Sequence, residues 1–198
     1  MKTSLHLLFI FVCGLMASAQ PHPALERLNE FYGGYGTGSI YYFTGNINYK
    51  FNNGVNETQE SDPNSIGTFF LGYNRQLNRV ISLGFLLSYM NFWHTSKDYS
   101  TNQSYKVIDN NYSGITRIIF CYLNKPIIRM YCGVGIGISV VLGHTTWKGE
   151  DYTDRKIRPA GQLTLFGVRV GKALAGFGEF GVGTNSIIQA GISYQFGK

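Results

Sequence analysis

Over residues 127–142 apolar and small side chains change places at every step. Ile128, Met130, Cys132, Val134, Ile136, Ile138, Val140 and Leu142 hold the even positions, and Arg129, Tyr131, Gly133, Gly135, Gly137 and Ser139 hold odd ones. Successive side chains of a strand point to opposite faces, so this spacing predicts a β-strand with one apolar face and one narrow, small or polar face. From Ile81 the same rule sets Ile81, Leu83, Phe85, Leu87 and Tyr89 against Ser82, Gly84, Leu86 and Ser88. At the C-terminus it sets Ile188, Ala190, Ile192, Tyr194 and Phe196 against Gln189, Gly191, Ser193 and Gln195. Weaker alternation marks further strands over 34–51, 65–76, 106–123, 158–171 and 176–182, eight in all. In 158–171 the parity breaks, with Leu163 and Leu165 on one side and Phe166, Val168 and Val170 on the other; a β-bulge would reconcile them.

The connections alternate in length. Tight links at 76–79, 124–126 and 172–175 take turns with polar stretches at 52–64, 97–104 and 146–157, and the last link, 183–186, is short. Short turns at one end and longer loops at the other suit a membrane barrel, in which apolar residues appear one by one among polar ones. The predicted fold is all-β: a closed antiparallel up-and-down transmembrane β-barrel of eight strands. The glycines of 127–142 fit a barrel so small that opposite walls approach each other. No apolar run after the first residues reaches helical spanning length, so a membrane protein of this sequence crosses as a barrel.

Those first residues are a separate matter. Residues 1–19 carry one basic residue, Lys2, an apolar stretch from Leu5 to Met16, and small residues before Gln20. That is the pattern of a cleavable signal peptide, with cleavage after Ala19. Val12 before Cys13 argues against a lipoprotein anchor. The expected organisation is thus a leader at 1–19, a periplasmic N-terminal segment at 20–32, and a barrel domain at 33–198. The chain has 17 Lys and Arg against 11 Asp and Glu, scattered without a long basic run, which gives no footprint for nucleic acid. Export makes a membrane the better partner for the positive balance.

The chain resembles the small outer-membrane β-barrel proteins, the porin-family or OmpX/OmpA-like barrels. The likeness rests on the glycine-rich opening GGYGTGSIYY, the closing GEFGVGTNSIIQAGISYQF and the meander between them. It implies a bacterial outer-membrane location with both termini periplasmic, outer-membrane lipids as surroundings, and an unknown extracellular partner met through the loops. It also implies a C-terminal signal for the barrel-assembly machinery at Tyr194 and Phe196, although Gly197 and Lys198 follow.

Site chemistry is sparse. Inward positions carry Arg117, Arg129, Arg169 and Glu179, expected to pair within a barrel wide enough only for side chains. A turn centred on Lys125 places Cys121 opposite Arg129 and Cys132 opposite Ile118, on different faces, so both thiols are expected free. His94 and Ser96 pair an imidazole with a hydroxyl, similar to the His-x-Ser pair of outer-membrane lipid A deacylases. Only Asp98 or Asp109 offer an orienting group, and a lipid-cleaving pair belongs on the lipid face, so the chain is read as no enzyme. Gly176, Gly178 and Gly181 fit G-x-G-x-x-G, but no helix follows. His22 and His144 lack ligand-spaced neighbours, and no metal or cofactor is expected. Trp93, Trp147, Tyr41 and Tyr42 read as interfacial girdles. The expected role is structural or surface-interacting; the alternatives are a narrow pore, a lipid-modifying enzyme using His94 and Ser96, and a soluble lipocalin-like binder with its apolar faces inside.

Overall fold

The computed structural model describes residues 29–39, 58–60, 64–98, 103–147 and 150–197. The expected leader at 1–19 and His22, Tyr41 and Tyr42 lie outside these residues. The strands are β1 (Asn29–Thr37), β2 (Thr58–Glu60), β3 (Asn64–Gln76), β4 (Ile81–Asp98), β5 (Gln103–Asn124), β6 (Ile128–Trp147), β7 (Glu150–Gly171), β8 (Leu174–Gly183) and β9 (Ile188–Phe196). Eight of them form a closed antiparallel wall in which each strand pairs with its successor and β1 pairs with β9; short β2 only extends the outer end of β4. The barrel is therefore all-β and up-and-down, as the alternation predicts.

Closure has a plain cause. An open sheet exposes a row of unpaired N–H and C=O groups on each edge, and the Asn29–Thr37 ladder against Ile188–Phe196 satisfies both edges at once. The first strand begins at Asn29, before the expected barrel start, and the remainder of the strand expected over 34–51 lies largely outside the described residues.

Three turns, 77–80, 125–127 and 172–173, lie at the end that carries Asn29 and Phe196. At the other end the wall is uneven. Strands β5 and β7 run for 22 residues whereas β1 and β9 have only 9. At about 3.3 Å per residue, the longer strands reach tens of ångströms beyond the shorter ones. The expected polar loops at 97–104 and 146–157 thus include paired strand, out to Asp98 opposite Gln103 and Trp147 opposite Glu150. In β7, residues 153–159 are exposed at every position, so neither face of that stretch needs an apolar set.

The parity break in 158–171 is a bulge. Thr164 pairs with Gly181 and Phe166 with Phe180, leaving Leu165 extra, so Leu165 and Phe166 both face outward at 47% and 42% exposure. Another irregularity, at Tyr122, corrects the expected cysteine register. Cys121 lies opposite Tyr131 and Cys132 opposite Phe120, because the turn is displaced toward Ile127 and Tyr122 bulges from the ladder. Both thiols are free, Cys121 buried and Cys132 partly exposed.

Candidate functional site: the polar core of the barrel

Inward positions bring together side chains from seven wall strands, in three tiers. In the middle tier Arg117 of β5 is 1% exposed. Its Nη2 donates to both carboxylate oxygens of Glu179, at 2.9 and 2.8 Å, and to Thr164 Oγ1 at 3.1 Å. Tyr131 Oη donates to Glu179 at 2.9 Å, and Gln189 Nε2 donates to its other oxygen. A buried carboxylate needs this saturation, since a charge removed from water costs several kcal/mol unless paired and hydrogen-bonded.

Toward the turn end, Glu30 accepts from Arg129 Nη2 and from Arg169 Nε at 2.7 Å. Three guanidiniums thus share two carboxylates. The surplus charge meets main-chain dipoles: Arg169 also donates to the carbonyls of Gly171, Lys172 and Ala173 at 3.3, 3.0 and 3.0 Å, fastening the β7–β8 turn to the interior. Asn74, Gln76 and Arg129 each keep one buried polar atom without a protein partner, and all three line one small space beside Glu30.

At the loop end the short link after β8 folds into the mouth of the barrel. Asn185 and Ser186 are each 1% exposed. Thr68 Oγ1 donates to the Asn185 carbonyl at 2.6 Å, Gln162 Nε2 donates to the Ser186 carbonyl at 2.9 Å, and Ser39 Oγ donates to the Thr184 carbonyl at 2.7 Å. This explains why the one outward link expected to be long is short: it is a stopper.

The four residues expected to pair do lie inside, but as two clusters, with Arg117 on Glu179, and Arg129 and Arg169 on Glu30. Glu30 was not foreseen, having been assigned to a segment before the barrel; its only sequence signal is its parity with Tyr32 ahead of Phe31 and Gly33. Nor is the filling purely ionic. Tyr32, Phe70 and Phe177 form an aromatic cluster with ring centroids 5.8–6.3 Å apart. The Arg117 guanidinium lies 5.9 Å from the Tyr32 ring and that of Arg129 lies 5.6 Å from Tyr131, within cation–π range.

The outer wall is of opposite character. Leu71, Ile136 and Ile192 are 71%, 74% and 68% exposed. Aromatic pairs stand at two levels: Phe31 against Tyr73 and Phe196 toward the turns, and Tyr35 against Phe69 and Tyr89 against Tyr112 toward the loops. Tyr194 and Phe196 stack on each other within this wall.

The His94–Ser96 pair lies in β4, opposite Val107 and Tyr105; its side chains lie outside the described residues. Gly176, Gly178 and Gly181 belong to β8 and its ladders. Among the described residues no group of His, Cys, Asp and Glu is arranged to hold a metal. No family model and no curated protein matches the chain.

Proposed function

We propose that this chain is an integral protein of a bacterial outer membrane, with a structural or surface-interacting role carried by its outer hairpins and loops. One observation carries the reading. Ion pairs, amides, hydroxyls and a small cluster around Tyr32, Phe70 and Phe177 fill the inside of the barrel, whereas most of the large apolar side chains stand exposed around the wall. In water this arrangement forfeits about 25 cal/mol for every Å² of apolar surface left wet, and soluble monomers rarely show continuous apolar patches beyond a few hundred Å². In a bilayer the same wall is solvated by acyl chains, and the aromatic pairs suit its two interfaces. A lipocalin-like binder has the same closed barrel but needs its apolar faces inside.

The three-tier filling favours a structural role over a pore, because the interior of an eight-stranded barrel is used up by side chains. The outer sheet of β4–β7 offers the surface for a partner outside the cell. The outer part of β7 carries Arg155, Lys156, Arg158 and Pro159, residues that discourage addition of another strand, so side chains rather than edge pairing would make such contacts. The exposed Asp154–Lys156 pair, at 2.7 Å, belongs to this surface. The Lys156 hydrogen bond and charge hold the Asp154 carboxyl below its ordinary range.

The test is electrophoresis of the protein refolded in detergent, before and after boiling, with circular dichroism alongside. A β-rich species that migrates differently after boiling is expected. A chain that stays soluble without detergent and shows no shift would overturn the reading.

A further inference from the structure

We infer that the turn end of the barrel is a binding site for the headgroups of anionic phospholipids; this rests on the membrane reading above. The carboxylates are sorted along the barrel axis: Glu60, Asp98, Asp109, Glu150, Asp151 and Asp154 lie toward the loop end among basic residues, while the turn end carries cations. Each of the three turns carries or adjoins an exposed basic residue: Arg75 and Arg79 at the first, Lys125 at the second, Lys172 at the third. Among the described residues the only carboxylate at that end is Glu30, which is 4% exposed and already shared by two arginines. No carboxylate pairs with any of these four cations among the described residues.

A second observation places acyl chains beside this charge. Leu174, Tyr194, Phe31, Tyr73 and Phe85 follow one another across five adjacent strands in a single ladder row. Above the row the outward-facing Gly33 leaves a groove of about 680 Å³ bounded by Leu71, Leu87 and Ile192. Below it, Arg75 lies two residues beyond Tyr73 on the same face, and Lys172 lies two residues before Leu174. The two cations are three strand spacings apart around the wall, about 14 Å at roughly 4.8 Å each, and they flank the foot of the groove. An acyl chain in the groove would bring its phosphodiester to the level of Arg75 and Lys172. A guanidinium offers that phosphate a forked donor pair, and Lys125 and Arg79 extend the positive rim to neighbouring lipids.

The experiment inserts the protein into phosphatidylcholine vesicles containing one-fifth phosphatidylglycerol, extracts it gently and measures by native mass spectrometry which lipids stay bound. Phosphatidylglycerol is expected to be enriched about threefold or more over its bulk share, given the attraction of each basic residue to an anionic surface. The enrichment is expected to fall in 1 M salt, where the Debye length is only about 3 Å. It should disappear in the R75Q/R79Q/K125Q/K172Q variant and survive in the loop-end variant R155Q/K156Q/R158Q. If the quadruple variant does not fold, as judged by the boiling shift, K125Q and K172Q singly are expected to give graded losses. Retention at the bulk ratio, or equal enrichment in the turn-end variant, overturns the site. Soluble glycerophosphate that strips the bound lipid makes it a free-phosphate site and overturns the lipid assignment. Failure to float with vesicles of either composition is a different result, and refutes the membrane reading itself.

Discussion

Four side chains converge on Glu179 inside the barrel: an arginine, a tyrosine, a threonine and a glutamine. Glu179→Gln keeps the shape but leaves the Arg117 charge buried without a counter-charge, a situation that costs about 3–5 kcal/mol. The urea midpoint of the detergent-refolded protein is expected to fall accordingly. In the double variant Arg117→Leu/Glu179→Leu, which removes both charges, much of that loss should return; a double variant less stable than Glu179→Gln would sink the argument. Size matters as much as charge. Gly167 lies opposite Tyr131, and a Cβ there would come within 2.4 Å of the ring, so Gly167→Ala must push the tyrosine off Glu179. A loss of about 1–3 kcal/mol is expected from such overpacking, read from the same urea curve. The cysteines should be inert toward each other: oxidised protein, denatured and alkylated without reductant, is expected to gain two labels on Cys121 and Cys132, and an unlabelled pair would show the register to be wrong.

Strands β4 to β7 do two jobs along their length. Their inner halves belong to the wall, whereas the β7–β8 ladder ends at Gln162 and the β6–β7 ladder continues to Glu150. Shortening the β6–β7 hairpin by removing residues 146–151 takes away the last rungs of the β6–β7 ladder, well beyond the end of the β7–β8 ladder at Gln162. The shortened protein is expected to keep its boiling shift and its unfolding midpoint, as exposed hairpin tips tolerate deletion. Loss of the shift would mean that the outer sheet takes part in closing the barrel. The bulge at Leu165 is an inner-half feature with a clear purpose. By spending one extra residue it moves the apolar set from the parity of Leu163 to that of Phe166, Val168 and Val170, so both halves of β7 face outward. The sequence displayed the broken parity; it could not show which residue was extra, because that depends on the pairing with Gly181 and Phe180.

For the whole molecule, an aromatic and ionic filling under a folded-in stopper occupies the interior among the described residues. In planar bilayers only brief and small current events are expected, and a steady conductance of porin size would refute the structural reading in favour of the pore. Charge is distributed with equal clarity: apart from Glu30 and Glu179 inside, the carboxylates among the described residues lie toward the loop end, opposite the basic turns. The barrel therefore presents different electrostatic faces at its two ends.

The sequence by itself determined the barrel. Period-two alternation is local, so Ile136 and Gly137 announce their faces without help from any partner strand, and turn residues such as Asn124, Lys125 and Pro126 announce where the chain reverses. It also named Arg117, Arg129, Arg169 and Glu179 as inward charges, since parity is enough for that. What only the tertiary structure decided is who meets whom. Register depends on bulges at Tyr122 and Leu165, on the ladder that closes β1 onto β9, and on sheet extensions such as 153–159, exposed at every position, that leave no hydrophobic signature. Glu30, near the start of the first wall strand, joins Arg129 and Arg169 from far along the chain only because the wall closes. That closure is a property of the whole set of strands, and no stretch of sequence carries it alone.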